Sequence, residues 1–199
     1  MNMVNIKAKH NKTTLIIMRH GEVENLGKVL YGRLPGFGLS QKGILQVISS
    51  AEKLQGRKIS AIYTSPMLRA RQTGAILSRY FRIHPKISSL ITEVNIIYQG
   101  MALDSFRKEI QSTLYTPVNL KKGQESIESI SDRMMRFVHL VNGKHPGETV
   151  IAVSHGDPIL ILKCNTLKRS FTWSYKKNNY IKTGDFMELE IKEEKYNWK

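Results

Sequence analysis

The chain has 199 residues, 41% of them hydrophobic, and a formal net charge of +15. That length and balance suit one globular domain over residues 1–199 with a sizeable core, and they exclude a disordered chain, a collagen-like repeat and a disulfide-built scaffold. The single cysteine, Cys164, lies in an apolar run and reads as a small buried hydrophobe in a reducing, cytoplasmic setting. No window reaches the length of a bilayer span, and the first twelve residues lack the apolar run of an export signal, so the chain reads as unexported, with no membrane partner. Residues 1–13 read as a flexible N-terminal extension.

Taken in chain order, short apolar runs alternate with longer amphipathic ones, the pattern of βαβ units. Residues 14–18 (Thr-Leu-Ile-Ile-Met) are apolar on both faces and predict a central buried strand. A loop rich in glycine follows to Gly38. Ser40 then predicts a helix cap, with a helix to about residue 55 closed by Gly56. Residues 59–63 predict a second strand. Ser65-Pro66 opens a helix to about residue 81, with proline in the first turn, and His84-Pro85 blocks its continuation. Residues 87–100 read as irregular or a short strand. Helical patterns follow over about 103–114 and 125–141, the second ended by Asn142-Gly143. Residues 149–153 predict another fully apolar strand, then a short helix, and the alternation over 185–191 predicts an edge strand. The fold class that results is α/β: a three-layer α/β/α sandwich with a mostly parallel central sheet and one antiparallel edge strand.

This order places His20 and His155 each just past the C-terminal end of a predicted core strand, each followed by glycine. Ligands bind at that position in open α/β sheets. Arg19 sets a guanidinium beside His20, and a guanidinium grips phosphate oxygens bidentately. The same cation disfavours imidazolium, leaving a ring nitrogen with a free lone pair. Gly21 reads as room for a substrate to approach closely. The remaining histidines show no metal-ligand spacing, and the chain has no Cys-x-x-Cys or His-x-x-x-His, so no metal is expected.

Five segments carry a resemblance: Ile16-Ile17-Met18-Arg19-His20-Gly21-Glu22; Leu39-Ser40-Gln41-Lys42-Gly43; Ser65-Pro66-Met67-Leu68-Arg69-Ala70-Arg71-Gln72-Thr73; Gly123-Gln124-Glu125-Ser126; and Val150-Ile151-Ala152-Val153-Ser154-His155-Gly156. In this order and content the chain resembles the histidine phosphatase superfamily, the group that includes phosphoglycerate mutases and related acid phosphatases. The resemblance implies that His20 attacks phosphorus and becomes phosphohistidine, and that Arg19, Arg69 and His155 surround the phosphoryl oxygens, His155 serving best when protonated. It implies Glu93 as the general acid, although the carboxylate motif is about one residue short and Gln99 replaces an acid before Gly100. Glu22 is the rival donor and is expected instead to hydrogen-bond near the loop. Many members carry a phosphate-contacting asparagine one or two positions beyond Asn25, which makes Asn25 the candidate here. Of Arg69 and Arg71, two apart on a helix, only one can face the site, and the family pattern selects Arg69. Arg33 reads as a substrate-rim residue or a surface charge, and Glu125 as a carboxylate favoured by a helix first turn. No cofactor is implied.

The expected partner is a small phosphorylated substrate. The lysines are spread along the chain, with short pairs only at Lys121-Lys122 and Lys176-Lys177, which speaks for a solvated surface or anion steering rather than nucleic-acid binding. A homodimer is compatible with the chain. The leading function is hydrolysis of a soluble phosphomonoester. The alternatives are a cofactor-dependent phosphoglycerate mutase, for which only residues 100–123 offer a lid, and an inactive phosphate-binding module.

Overall fold

Strand β1 (Thr13–Arg19) has both faces buried because it sits in mid-sheet with helices on either side. Residues 12–199 are described in this structure, a computed structural model. Most of the expected N-terminal extension, with His10, lies outside the described residues. Thr13, also expected there, begins β1 and is fully buried.

The other strands are β2 (Ile59–Thr64), β3 (Lys86–Ile87), β4 (Thr149–Ser154), β5 (Phe186–Lys192) and β6 (Lys195–Trp198). Among the described residues these six form one sheet in the order β3-β2-β4-β1-β5-β6. The first four in that order run parallel, while β5 is antiparallel to β1 and β6 to β5. The three layers and mostly parallel sheet are as expected. However, β5 is not the edge, because β6 covers it. The hairpin between them turns on Glu193 and Glu194, both at positive φ (47° and 60°). Such turns usually advertise themselves by Asn or Gly, and two glutamates hide the signal.

Side chains of β1 alternate between two cores. Ile16 and Met18 pack with Val47, Leu54 and Leu77, carried by or just beyond α1 (Gln41–Lys53) and α2 (Leu68–Phe81). Leu15 and Ile17 pack with Ile130, Phe137, Ile159 and Leu162 of α5 (Ile127–Lys144) and α6 (Gly156–Thr166). Ser40 caps α1 as expected, its Oγ accepting from Gly43 N at 3.0 Å. Pro66 falls before α2, whose cap is Met67. Helix α5 runs through Asn142-Gly143 to Lys144, its end set by the following Pro146 rather than by the glycine.

The expected helix over 103–114 is broken into α3 (Leu103–Ser105), a π turn (Phe106–Ile110) and a 3-10 turn (Gln111–Thr113). Changing the winding lets Phe106 and Leu114 both turn inward, and Pro117 restarts the chain as α4 (Pro117–Lys121). Helix α7 (Trp173–Asn179) escaped sequence reading because it has no apolar stripe. Its buried residue is a lysine, Lys176.

Candidate active site

Arg19 pairs with Ser154 in the β1–β4 register, so the residues that follow, His20 and His155, leave the sheet side by side. Their ring centroids are 5.1 Å apart, and His20 N donates to Ser154 O at 3.1 Å. Strand register, rather than a loop, therefore brings together two histidines far apart in the chain.

His20 Nδ1 lies 2.7 Å from Gly21 O. A carbonyl only accepts, so the proton belongs on Nδ1 and the lone pair on Nε2. Arg69 Nε donates to that Nε2 at 3.1 Å. Burial, then Arg69, then Arg19, hold His20 well below the ordinary histidine range, so the ring is neutral. Gly21 is required for packing and not for substrate approach: a Cβ there would come within 2.4 Å of Gly43 O on α1.

Arg69, in the first turn of α2, is 1% exposed, whereas Arg71 is exposed. Besides His20 it meets Gly32 O at 2.8 Å, His155 Nδ1 at 3.3 Å and Glu93 Oε2 at 3.5 Å, with its guanidinium 4.7 Å from the Tyr31 ring centroid. Thr73 Oγ1 accepts from Gly21 N and donates to Arg69 O, tying α2 to the His20 loop.

His155 Nε2 lies 2.8 Å from Ser65 Oγ. Since Arg69 donates towards Nδ1, the proton belongs on Nε2. Burial and Arg69 hold this ring well below the usual range too, which favours neutral imidazole over imidazolium at His155. The charge is carried by the arginines instead.

Glu93 does reach the cluster despite its short spacing. Its Oε1 accepts from Val94 N at 2.9 Å and its Oε2 lies 3.4 Å from His155 Nδ1. Burial pushes its carboxyl above the ordinary range, with Arg69 opposing. Its backbone is clamped from below. Arg133 of α5 donates to Leu90 O and Thr92 O at 3.0 and 2.7 Å, and Arg33 Nε to Glu93 O at 2.7 Å. Glu125 bridges the two arginines, at 3.1 Å from Arg33 and 2.8 Å from Arg133. Glu125 thus acts by ion pairing before the cap Ser126, not through the helix dipole. Arg33 is half-buried and spends its guanidinium on Glu93 O and Glu125, so it positions the Glu93 segment. Gln99 Oε1 accepts from Arg33 N, which gives the departure before Gly100 a structural use. Arg133 was missed, although an arginine on the apolar face shared by Ile130 and Phe137 was a readable signal.

Asn25 is not brought to the cluster. Both ends of its amide are bound to the Val29 backbone, at 2.9 and 3.1 Å, bracing its own loop. Glu22 hydrogen-bonds Ser40 and Lys42 as expected.

Arg19 donates to Ile181 O at 2.8 Å and lies 5.0 Å from the Tyr180 ring centroid. Tyr180 is seated over Gly156, where a Cβ would meet its hydroxyl at 2.3 Å. The next residue, Asp157, pairs with Lys176 at 2.8 Å and accepts from Tyr115 at 2.8 Å. The pair of residues after His155 therefore anchors α7 and, through Tyr180, holds Arg19. Arg19, Gly32, Glu93 and Tyr31 also border a cavity of about 200 Å³, whose far wall includes Leu103, Phe106 and Leu114.

His20, Glu93 and His155 bring ligand-type atoms within 4.8 Å of one another, near enough for a metal ion. The Arg69 guanidinium already lies 3.1–3.5 Å from atoms of all three, so a cation would have to displace it. The arrangement suits an anion.

A model of the histidine phosphatase superfamily (branch 1) matches residues 15–199. Rv0525 of Mycobacterium tuberculosis is 30% identical over 157 residues, spanning 76% of this chain and 77% of its own. Phosphoserine phosphatase 1 of Hydrogenobacter thermophilus is 25% identical over 173 residues, 83% of this chain and 82% of its own. The structure of YhfR from Bacillus stearothermophilus superposes with a TM-score of 0.82 at 22% identity, covering 93% of this chain and 94% of that one, which is a likeness of fold. Among the described residues, no helix is long and apolar enough to cross a membrane.

Proposed function

The chain belongs to the histidine phosphatase superfamily, and from that premise we propose that it hydrolyses small phosphomonoesters through a phosphohistidine on His20 Nε2. The observation that carries this reading is the Arg69 Nε contact on that nitrogen: the lone pair is unprotonated, aimed into the cluster and beside a fixed guanidinium. In the first step Nε2 bonds to phosphorus as the bond from phosphorus to the ester oxygen breaks, and Glu93 gives its carboxylic proton to the departing alkoxide. In the second, Glu93 as carboxylate takes a proton from water. That water attacks phosphorus, the bond to Nε2 breaks and inorganic phosphate leaves. Arg69 and Arg19 offset charge on the transferring oxygens, while His155, whose ring is held towards the neutral form, gains affinity for a proton as the dianion arrives.

With a neutral nucleophile at low pH and an acid whose carboxyl is raised, the activity belongs on the acidic side of neutrality, as in an acid-type phosphatase. The buried cysteine fits a cytoplasmic setting. Incubation with a radiolabelled phosphomonoester tests the reading. Expected are release of inorganic phosphate and an alkali-stable, acid-labile label on the wild-type protein, both absent in His20→Ala. Equal turnover by the two proteins would overturn it, and transfer of label to a second alcohol with little free phosphate would favour the mutase.

A further inference from the structure

All 16 Asp and Glu of the chain lie outside residues 158–184, a stretch that carries six Lys and Arg. Three of the six are answered within the molecule. Lys176 pairs with Asp157 at 2.8 Å, Lys163 lies 5.6 Å from the Trp198 ring centroid, and Arg169 shares a groove wall with Glu128 and Asp132. Lys168, Lys177 and Lys182 are exposed, and among the described residues no ion pair engages them. Apolar side chains are set between these cations. Leu167 adjoins Lys168, while Trp173 opens α7 and lies four residues before Lys177, on the same helix face. Leu167 and Trp173 are both 38% exposed. The stretch is built into the fold and is not a trailing tail. Thr172 caps α7 by accepting from Tyr175 N at 3.2 Å, Phe171 meets Tyr115 edge to face at 5.6 Å, and Arg169 N donates to Cys164 O at 2.8 Å.

We propose that the surface of residues 167–182 docks the protein peripherally on an anionic lipid bilayer. Exposed Trp and Leu among unpaired lysines match the boundary of such a bilayer. The indole and the aliphatic chain enter the headgroup layer, while the lysine stems lie along it and their ammonium groups meet lipid phosphates. A nucleic acid would use the lysines, but it stacks its bases on aromatic faces and leaves Leu167 without a role. The expectation of no membrane partner rested on the lack of a spanning segment, which does not bear on attachment to the surface. Lys176 and Tyr180, in the same stretch, line the cavity beside Glu93, so docking sets that cavity close to the lipid.

Co-sedimentation of the full chain with vesicles tests this without recourse to catalysis. Binding is expected to vesicles of phosphatidylcholine mixed with phosphatidylglycerol and not to phosphatidylcholine alone, and it should fall as salt is raised. Lys168→Gln, Lys177→Gln and Lys182→Gln should each weaken it about fivefold, and the three together roughly a hundredfold, the scale of basic side chains near an anionic surface. Lys53→Gln, Lys58→Gln and Lys144→Gln together remove the same net charge from exposed positions elsewhere and should weaken it far less. Trp173→Ala should weaken binding at constant net charge, and Trp173→Phe should restore most of it. The emission of Trp173, read in a Trp198→Phe chain, should shift to the blue on anionic vesicles. Thermal midpoints of the variants keep loss of docking apart from loss of fold. Equal binding to both kinds of vesicle, binding to neither, or equal losses in the two triple variants overturns the proposal. Tighter capture by single-stranded RNA than by anionic vesicles, lost with the same three lysines, assigns the face to nucleic acid and overturns it as well.

Discussion

Arg69 Nε and His20 Nε2 are 3.1 Å apart, so the guanidinium that would bind the phosphoryl group also rests on the nitrogen that would attack it. The contact orients the lone pair, and in the proposed reaction phosphate binding would replace it. Arg69→Ala should lower kcat about a hundredfold to a thousandfold, the usual cost of losing one preorganised charge donor. Removing that cation also relieves one of the causes that depress His20, so the imidazole should titrate closer to the ordinary range. NMR titration of the His20 ring checks the shift, and an unmoved titration contradicts the electrostatic account.

The pH profile follows from opposite shifts on two groups. His20 is depressed and Glu93 raised, so under the proposed roles the nucleophile would be free and the acid still protonated over a window on the acidic side. Activity should fall on the alkaline side as pH rises through the Glu93 value, since that loses the proton donor. Glu93→Gln should remove this limb and lower kcat for alkyl esters by about a hundredfold or more, with much less effect on aryl esters whose leaving groups need no proton. A wild-type profile flat from the acidic range to neutrality would contradict the assignment.

For stability these two shifts and that of His155 act through linkage. Glu93 binds its proton more tightly in the folded state, so its contribution is fully present below the unfolded carboxyl range and is lost as pH rises through the folded value. His20 and His155 hold protons less tightly when folded, so their contribution is lost as pH falls below the unfolded histidine range. Denaturant midpoints across pH should therefore decline on acidification from neutrality, and His155→Asn should flatten that decline.

The Asp157–Lys176 pair is buried on both sides, with side-chain exposures of 7% and 8%. Removing one partner strands the other charge, which costs about 3–5 kcal/mol. Asp157→Asn and Lys176→Met should each lower the denaturant midpoint, while the double variant should lose less than the two single losses added together. If Tyr180 passes the effect to Arg19, each single variant also weakens inhibition by inorganic phosphate, and does so no further in an Arg19→Ala background. Additive effects would show that the pair serves the fold alone.

Asn25→Ala should leave KM for a phosphomonoester unchanged within about twofold and reduce thermal stability modestly, since two backbone hydrogen bonds of its loop are lost. A large rise in KM would return Asn25 to the phosphate site.

How much was readable in the sequence depended on where the information lay. Strand ends were legible: residues 14–18 and 149–153 could only be buried strands, and His20 and His155 follow them directly. Ser40 came from the local rule of capping; helical facing said only that one of Arg69 and Arg71 turns inward, and the family resemblance chose Arg69. What failed was set by tertiary packing. Asn25 had the right residue type near the right place, but its amide is spent on Val29. Gly21 looked like a space for substrate, and the space is filled by the Gly43 backbone. Lys176 and α7 were illegible because a single buried lysine, neutralised from α6, leaves no apolar periodicity to see. The turn at Glu193-Glu194 hid β6 for a related reason: its residues do not declare its backbone.

The two halves of the chemistry rest on supports of unequal strength. His20 and His155 are held by adjacent central strands, while the Leu90, Thr92 and Glu93 carbonyls hang on Arg133 and Arg33, side chains anchored by Glu125, and only that of Ile91 is tied to the sheet, by Ser154 Oγ at 2.9 Å. Heat or mild denaturant will loosen the tethered segment before the sheet opens. Under the proposed mechanism, a partly failing molecule of this kind would keep its capacity to take a phosphoryl group while losing its ability to protonate a reluctant alkoxide. It would narrow its substrate range before it lost activity, discarding alkyl esters first and keeping activated aryl esters to the end.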